Sequence, residues 1–116
     1  MFLVKHGFCV KKRNYLRRVG EIDVIAQKNE KLYFIEVKTF FIESVSCETF
    51  RVKQNIYLPE ENVCESKIRK MIVTAELFLL ENNLKDREVE FGVISVVIGK
   101  SKKILRIRYI GNVNIN

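Results

Sequence analysis

The stretch that decides the fold is Gly20-Glu21-Ile22-Asp23-Val24-Ile25-Ala26-Gln27, then Lys28-Asn29-Glu30, then Lys31-Leu32-Tyr33-Phe34-Ile35-Glu36-Val37-Lys38-Thr39. Both long runs are rich in β-branched and aromatic residues, and a short polar link joins them. The pattern predicts strands over 21–27 and 31–39 paired as a hairpin. Asn29 tolerates the left-handed backbone that a tight turn demands. With the turn centred between Asn29 and Glu30, the numbers of facing residues add to 59. Asp23 then faces Glu36, Glu21 faces Lys38 and Ile25 faces Phe34. Alternation along a strand puts Glu21, Asp23, Glu36 and Lys38 on one face. Directly opposed Cβ atoms lie about 4.5–5.5 Å apart. Ile22, Val24 and Ala26 fill the other face with Tyr33, Ile35 and Val37.

Three carboxylates and one ammonium thus converge at the open end of a hairpin that is otherwise apolar on both faces. Facing carboxylates repel, and the repulsion raises one pKa. A divalent cation bound to both removes the conflict, and hard oxygen ligands suit Mg²⁺ or Mn²⁺. The same pattern also describes a salt-bridge cluster on an exposed rim, with Lys38 neutralising one acid. The residues alone leave these two readings open.

Working outward, Phe8 to Tyr15 reads as an edge-like strand. Arg17-Arg18-Val19-Gly20 reads as a turn in which Gly20 can take positive φ. Phe40 to Asn62 shows no period, contains the only proline, Pro59, and reads as a loop or irregular insertion. Val63 to Leu84 is a helix that starts at a capping-box-like Asn62 and Glu65. Cys64, Ile68, Met71, Ile72, Ala75, Phe78 and Leu79 form one apolar stripe on it. Val73, Leu77, Leu80 and Leu84 form a second on roughly the opposite side. Such a helix is buried on two sides or docks on something. The second stripe is covered by neighbouring elements, by the 40–62 segment, or by a second copy of the chain; a homodimer is favoured because an isologous contact needs only one patch. Glu88 to Ile98 is a strand, Gly99 to Lys102 a turn, Lys103 to Ile110 a last strand and Gly111 to Asn116 a polar tail. The order describes one mixed α/β domain over residues 1–116 with a central sheet.

Composition sets the partner class. The 116 residues suit a single domain, and 21 Lys plus Arg against 14 Asp plus Glu give a net charge of +7. That balance favours a polyanion such as nucleic acid. The chain is too apolar for disorder as its main state. No apolar stretch approaches the ~18 residues of a membrane span, and the run at Met1 to Val4 is too short for a signal-peptide core. Cys9, Cys47 and Cys64 are odd in number and lack C-x-x-C spacing. They argue against a disulfide framework or zinc knuckle and fit a reducing, cytoplasmic setting, each as a buried or half-buried small residue. His6, the single histidine, is structural or solvated.

Gly20 to Ala26, followed by Leu32 to Lys38, resembles the YraN-like family of the PD-(D/E)xK, or restriction-endonuclease-like, superfamily. Arg13-Asn14-Tyr15 is similar to that family's R-N-Y/F element, and Lys67, Ala75 and Leu79 are similar to its K…A…YL pattern. The similarity covers most of residues 7–98. It implies a restriction-endonuclease-like mixed sheet with the site on the hairpin. It implies Asp23 and Glu36 as ligands of Mg²⁺ or Mn²⁺, the Val37 backbone carbonyl as a further ligand, and Glu21 as an assisting acid. It implies Lys38 as the group that orients or activates water, and Gly20 as the glycine that lets the strand enter the site. Lys11, Lys12, Arg13, Arg17, Arg18 and Lys67 are the candidate nucleic-acid contacts. Three features depart from the family. Phe40 stands where members carry a basic residue; Glu90-Phe91-Gly92 stands where they carry R-F-D; and only Met1 to His6 corresponds to a leading helix. The retained Asp23, Glu36 and Lys38 point to a metal-dependent nuclease acting on DNA or RNA. The departures point to a nucleic-acid-binding module that does not cleave. The second stripe points to an interaction subunit of a DNA-processing assembly.

Overall fold

The structure, a computed structural model, describes residues 2–42 and 65–111. A short helix α1 (Phe2–Lys5) leads into strands β1 (Cys9–Arg17), β2 (Gly20–Lys28) and β3 (Lys31–Phe41). The main helix α2 (Glu65–Glu81) follows, then β4 (Val89–Ile98), a 3₁₀ turn and β5 (Ile104–Ile110). The strands form one sheet in the order β1-β2-β3-β4-β5. Neighbours are antiparallel except β3 and β4, which run parallel. A parallel pair needs a crossover, and α2 lies in that connection. The result is a mixed α/β arrangement compatible with a restriction-endonuclease-like fold.

The hairpin has the expected register. Facing pairs run from Val24–Ile35 to Lys28–Lys31, and Asn29 takes φ +57°. Strand β3 runs further than its composition suggests, because β4 offers Thr39, Phe40 and Phe41 a parallel ladder. Phe40 therefore belongs to the sheet and not to a loop. The rest of the expected insertion, with Pro59 and the Asn62 cap, lies outside the described residues.

Helix α2 covers one face of the sheet. Met71, Ala75 and Phe78 pack on Tyr15, Ile22, Ile25, Leu32 and Phe34. The Phe78 ring stands edge-on to Tyr15 and Phe34, with centroids 5.4 and 6.0 Å away. Each such side chain contributes about 1.5–3 kcal/mol by leaving water. The helix stops at Glu81 in a Schellman motif: Asn83 takes φ +55°, its N–H donates to Leu80 O, and the Leu84 N–H donates to Leu79 O. This turn folds Leu84 back onto the helix-side core. The expected second stripe is thus broken: Leu84 is covered by its own chain, while Val73 and Leu80 stay exposed.

The opposite face carries a smaller core of Leu3, Ile35 and Ile94, with Phe8, Val24, Tyr33 and Tyr109 packed around it. Cys9 is exposed, contrary to the expected burial, because β1 is an edge strand on which only Tyr15 is buried. Cys47 and Cys64 lie outside the described residues. Among the described residues, no helix is long and apolar enough to cross a membrane.

Candidate functional site

The β2–β3 ladder ends at the pair Val24–Ile35. Just beyond that pair, the Val37 N–H donates to Asp23 Oδ2 at 2.8 Å. A side chain satisfies the amide that the ladder leaves over, and the two strands open around it. Alternation breaks at the same point. Ile22 and Ile25 both pack on the helix side, which strict alternation forbids. On β1, Asn14 stands opposite Asp23, between the pairs Arg13–Val24 and Tyr15–Ile22, and takes φ +51°. The kink moves Ile22 from its expected face onto the helix side, while Val24 keeps its place on the other.

The opening is a cavity of about 530 Å³. Gly20, Glu21, Ile22, Asp23 and Glu36 line it from the sheet, and Ser66, Lys67, Lys70 and Met71 from α2. Three of the four expected catalytic residues therefore share one space. Lys38 is not in the lining. It lies half-buried on β3, beside Ser95 of β4 in the register. Ser95 is fully buried, and its hydroxyl has no hydrogen-bond partner among the described residues. A second cavity, of about 370 Å³, is lined by Arg13, Asn14, Asp23, Val24 and Val37, so Asp23 borders both.

Glu36 is only 6% exposed. A buried carboxylate needs a partner, and Lys67 of α2 supplies it through an ion pair with Glu36 Oε1. The salt-bridge reading of the hairpin makes Lys38 the neutralising group, and Lys67 is expected only as a nucleic-acid contact; the structure instead pairs Lys67 with Glu36. The one signal for Lys67 was its match to the helical part of the family pattern. The expected convergence of three carboxylates is looser than the hairpin register suggests. Among the described residues, no three His, Cys, Asp or Glu side chains stand close enough to hold a metal ion by themselves. The cause is the ladder's early end, which leaves Glu21 exposed on a strand that has parted from β3.

Gly20 acts through space and not through positive φ, since Gly7 is the one described glycine with positive φ. A Cβ at Gly20 would stand 2.8 Å from Thr74 Oγ1 and 3.3 Å from the Lys70 carbonyl oxygen. The glycine lets α2 lie close to the start of β2 and so narrows the cavity. At Gly92 a Cβ would run into the Tyr109 ring and hydroxyl. Tyr109 donates to Glu90 Oε2 at 2.5 Å, and Glu90 Oε1 accepts from Lys31 at 3.0 Å. Burial, then Glu90, pushes the Tyr109 hydroxyl far up. The space that any side chain at position 92 would need is filled by a tyrosine held at its tip.

The basic candidates divide. Lys11, Lys12, Arg13 and Arg18 are exposed along β1 and the following turn. Arg17 instead binds both Glu81 oxygens at 3.2 Å and lies over the Tyr15 ring, 4.2 Å from its centroid. The Tyr15 hydroxyl donates to the same carboxylate. That hydroxyl and Arg17 hold Glu81 below the usual carboxylate range. Arg17 thus ties β1 to the end of α2.

A family model described as "Uncharacterised protein family UPF0102" matches residues 1–96. A UPF0102 protein of Dictyoglomus thermophilum is 36% identical over 111 residues, which is 96% of this chain and 85% of that one. One of Desulforapulum autotrophicum is 38% identical over 95 residues, 82% of this chain and 69% of that one. One of Persephonella marina is 32% identical over 96 residues, 83% of this chain and 73% of that one. The matches run through the hairpin and the helix that build the cavity, and the chain belongs to the UPF0102, or YraN-like, family.

Proposed function

We propose that the protein is a nuclease of the PD-(D/E)xK type that hydrolyses phosphodiester bonds in DNA or RNA with Mg²⁺ or Mn²⁺. One observation carries this reading: Asp23 and Glu36, from adjacent strands, line a single cavity at the point where those strands part. The donor set suits the metal. Mg²⁺ takes one or two carboxylates and keeps several waters, so it does not need a three-carboxylate cluster. With Oδ2 engaged by Val37, Asp23 has Oδ1 to offer. Glu36 and the Val37 carbonyl complete the candidate ligands, with Glu21 at the mouth. When bound, the ion polarises the phosphodiester and lowers the pKa of water beside it. Lys67 and Lys70 place positive charge on the cavity wall, where they attract the substrate's phosphates. Lys38, on β3 two residues past Glu36 and outside that lining, is the candidate for orienting water. Exposed Lys11, Lys12, Arg13 and Arg18 extend the positive surface along β1. A reducing, cytoplasmic setting fits the free thiol exposed at Cys9.

A second reading, a nucleic-acid-binding module that does not cleave, is favoured by the absence of Lys38 from the cavity lining. Cleavage assays on single-stranded, duplex and branched substrates in Mg²⁺ and Mn²⁺ decide between them. Asp23→Asn and Glu36→Gln should each abolish cleavage, and Lys38→Ala should lower the rate more than the metal affinity. Nucleic-acid binding should survive all three and weaken with salt. Cleavage that persists in Asp23→Asn would remove this site from the reaction. Binding without cleavage on every substrate would leave the module.

A further inference from the structure

The ion pair at the cavity joins two unlike partners. Glu36 is 6% exposed and fixed on β3, where the parallel ladder to β4 runs through it. The Lys67 side chain is 63% exposed and sits in the first turn of α2. A lysine carries a compact charge on a flexible four-carbon stem. Its ammonium can leave Glu36 without moving the helix and find water at once. The carboxylate cannot follow, and burial makes it costly to leave alone.

We infer that Lys67 is an exchangeable counter-ion for Glu36: it neutralises the carboxylate when no divalent cation is held and gives way when one arrives. The inference rests on the metal-dependent reading above. An ammonium and a divalent cation on one carboxylate repel each other, so the two compete for Glu36. Once displaced, Lys67 remains on the wall that it shares with Lys70, positively charged and facing the space that a phosphate would enter. A site built this way keeps its buried acid paired in both states. It also links metal arrival to the release of a cation for the substrate.

The competition has a sign that a purely structural role reverses. If Lys67 only held Glu36 in place, its loss would weaken metal binding. If it competes, its loss strengthens it. Mn²⁺ binding to the full chain, followed by electron paramagnetic resonance of the free ion, compares wild type with Lys67→Met and Lys67→Arg. Lys67→Met should bind about two- to fivefold more tightly, the range for removing a pair with one exposed member. Lys67→Arg, which keeps the charge, should bind no more tightly than wild type. Mn²⁺ should raise the melting temperature of Lys67→Met more than that of wild type, since tighter binding stabilises more. In wild type labelled with ¹³C-lysine, Mg²⁺ should shift the Lys67 Cε resonance, a measurement that needs no variant to fold. Equal or weaker Mn²⁺ binding by Lys67→Met, or an unmoved Lys67 resonance while Mg²⁺ binds, overturns the exchange and leaves the metal reading standing. Failure of wild type and both variants to bind Mn²⁺ overturns both.

Discussion

Replacing Gly20 with alanine tests how the site is held together. The new Cβ would lie 2.8 Å from Thr74 Oγ1 and 3.3 Å from the Lys70 carbonyl oxygen. Thr74 is fully buried, and its hydroxyl donates to that same Lys70 oxygen at 2.7 Å. It cannot turn away without losing the bond. Helix α2 must therefore shift by several tenths of an ångström. Overpacking of this kind costs about 1–3 kcal/mol, against which alanine regains about 0.4–1 kcal/mol by restricting the unfolded chain. The net loss should be about 1–2 kcal/mol, a fall of about 0.5–1 M in the urea midpoint at unchanged slope. Thr74→Ala removes the nearer obstacle, so the double variant should be more stable than the two single losses imply, by about 0.5–2 kcal/mol of coupling. Circular dichroism during urea unfolding of the four proteins measures all of this. A Gly20→Ala midpoint equal to wild type, or a double variant that merely adds the single losses, would refute the close approach of α2 to β2.

Other outcomes follow from the same packing. Gly92→Asp should cost about 2–4 kcal/mol, because its Cβ meets Tyr109 and its carboxylate joins Glu90 at a buried position. Tyr109→Ala in the same chain should recover part of that loss in thermal unfolding. Glu81 titrates below its ordinary value of 4.5 because Tyr15 and Arg17 bind its carboxylate. Its contribution is therefore fully present above that value and is lost as pH falls through the lower, folded value. Glu81→Gln should be less stable than wild type at neutral pH, and the gap in urea midpoint should close in acid. Leu80 is 50% exposed and Val73 44%, and an isologous contact through them would make wild type a dimer that Leu80→Asp dissociates. Light scattering that finds a wild-type monomer at high concentration would exclude it.

The hairpin was legible because its signals are local. A polar link, two β-branched runs and Asn29 suffice to set the Val24–Ile35 to Lys28–Lys31 register. The face of Ile22 was not legible, since it depends on a kink shared between Asp23 and Asn14 on separate strands. Nor does composition show that Phe40 lies in a strand, because its ladder comes from β4, remote in the chain. The acids of the candidate site could be named from their spacing. The pairing of Glu36 with Lys67 could not, because only the packing of α2 on the sheet brings that lysine to the carboxylate. The fate of Leu84 likewise rests on the left-handed turn at Asn83, which redirects a side chain that helical spacing would send outward.

The placement of β3 between two unlike neighbours also implies an order of assembly. Its antiparallel pairing with β2 closes across Asn29 and Glu30, and hairpins form in about 1–10 μs. Its parallel pairing with β4 waits until the chain from Phe41 to Val89 has returned, a loop closure that slows folding. Early in folding, Glu36 therefore lies just past the end of the hairpin ladder, with neither α2 above it nor β4 beside it. Pulse-labelled hydrogen exchange should find the amides of the Val24–Lys31 hairpin protected before those of Val93–Val97. A carboxylate left wet through this interval loses its water only when the crossover docks, so the acid that will need a cation is desolvated last.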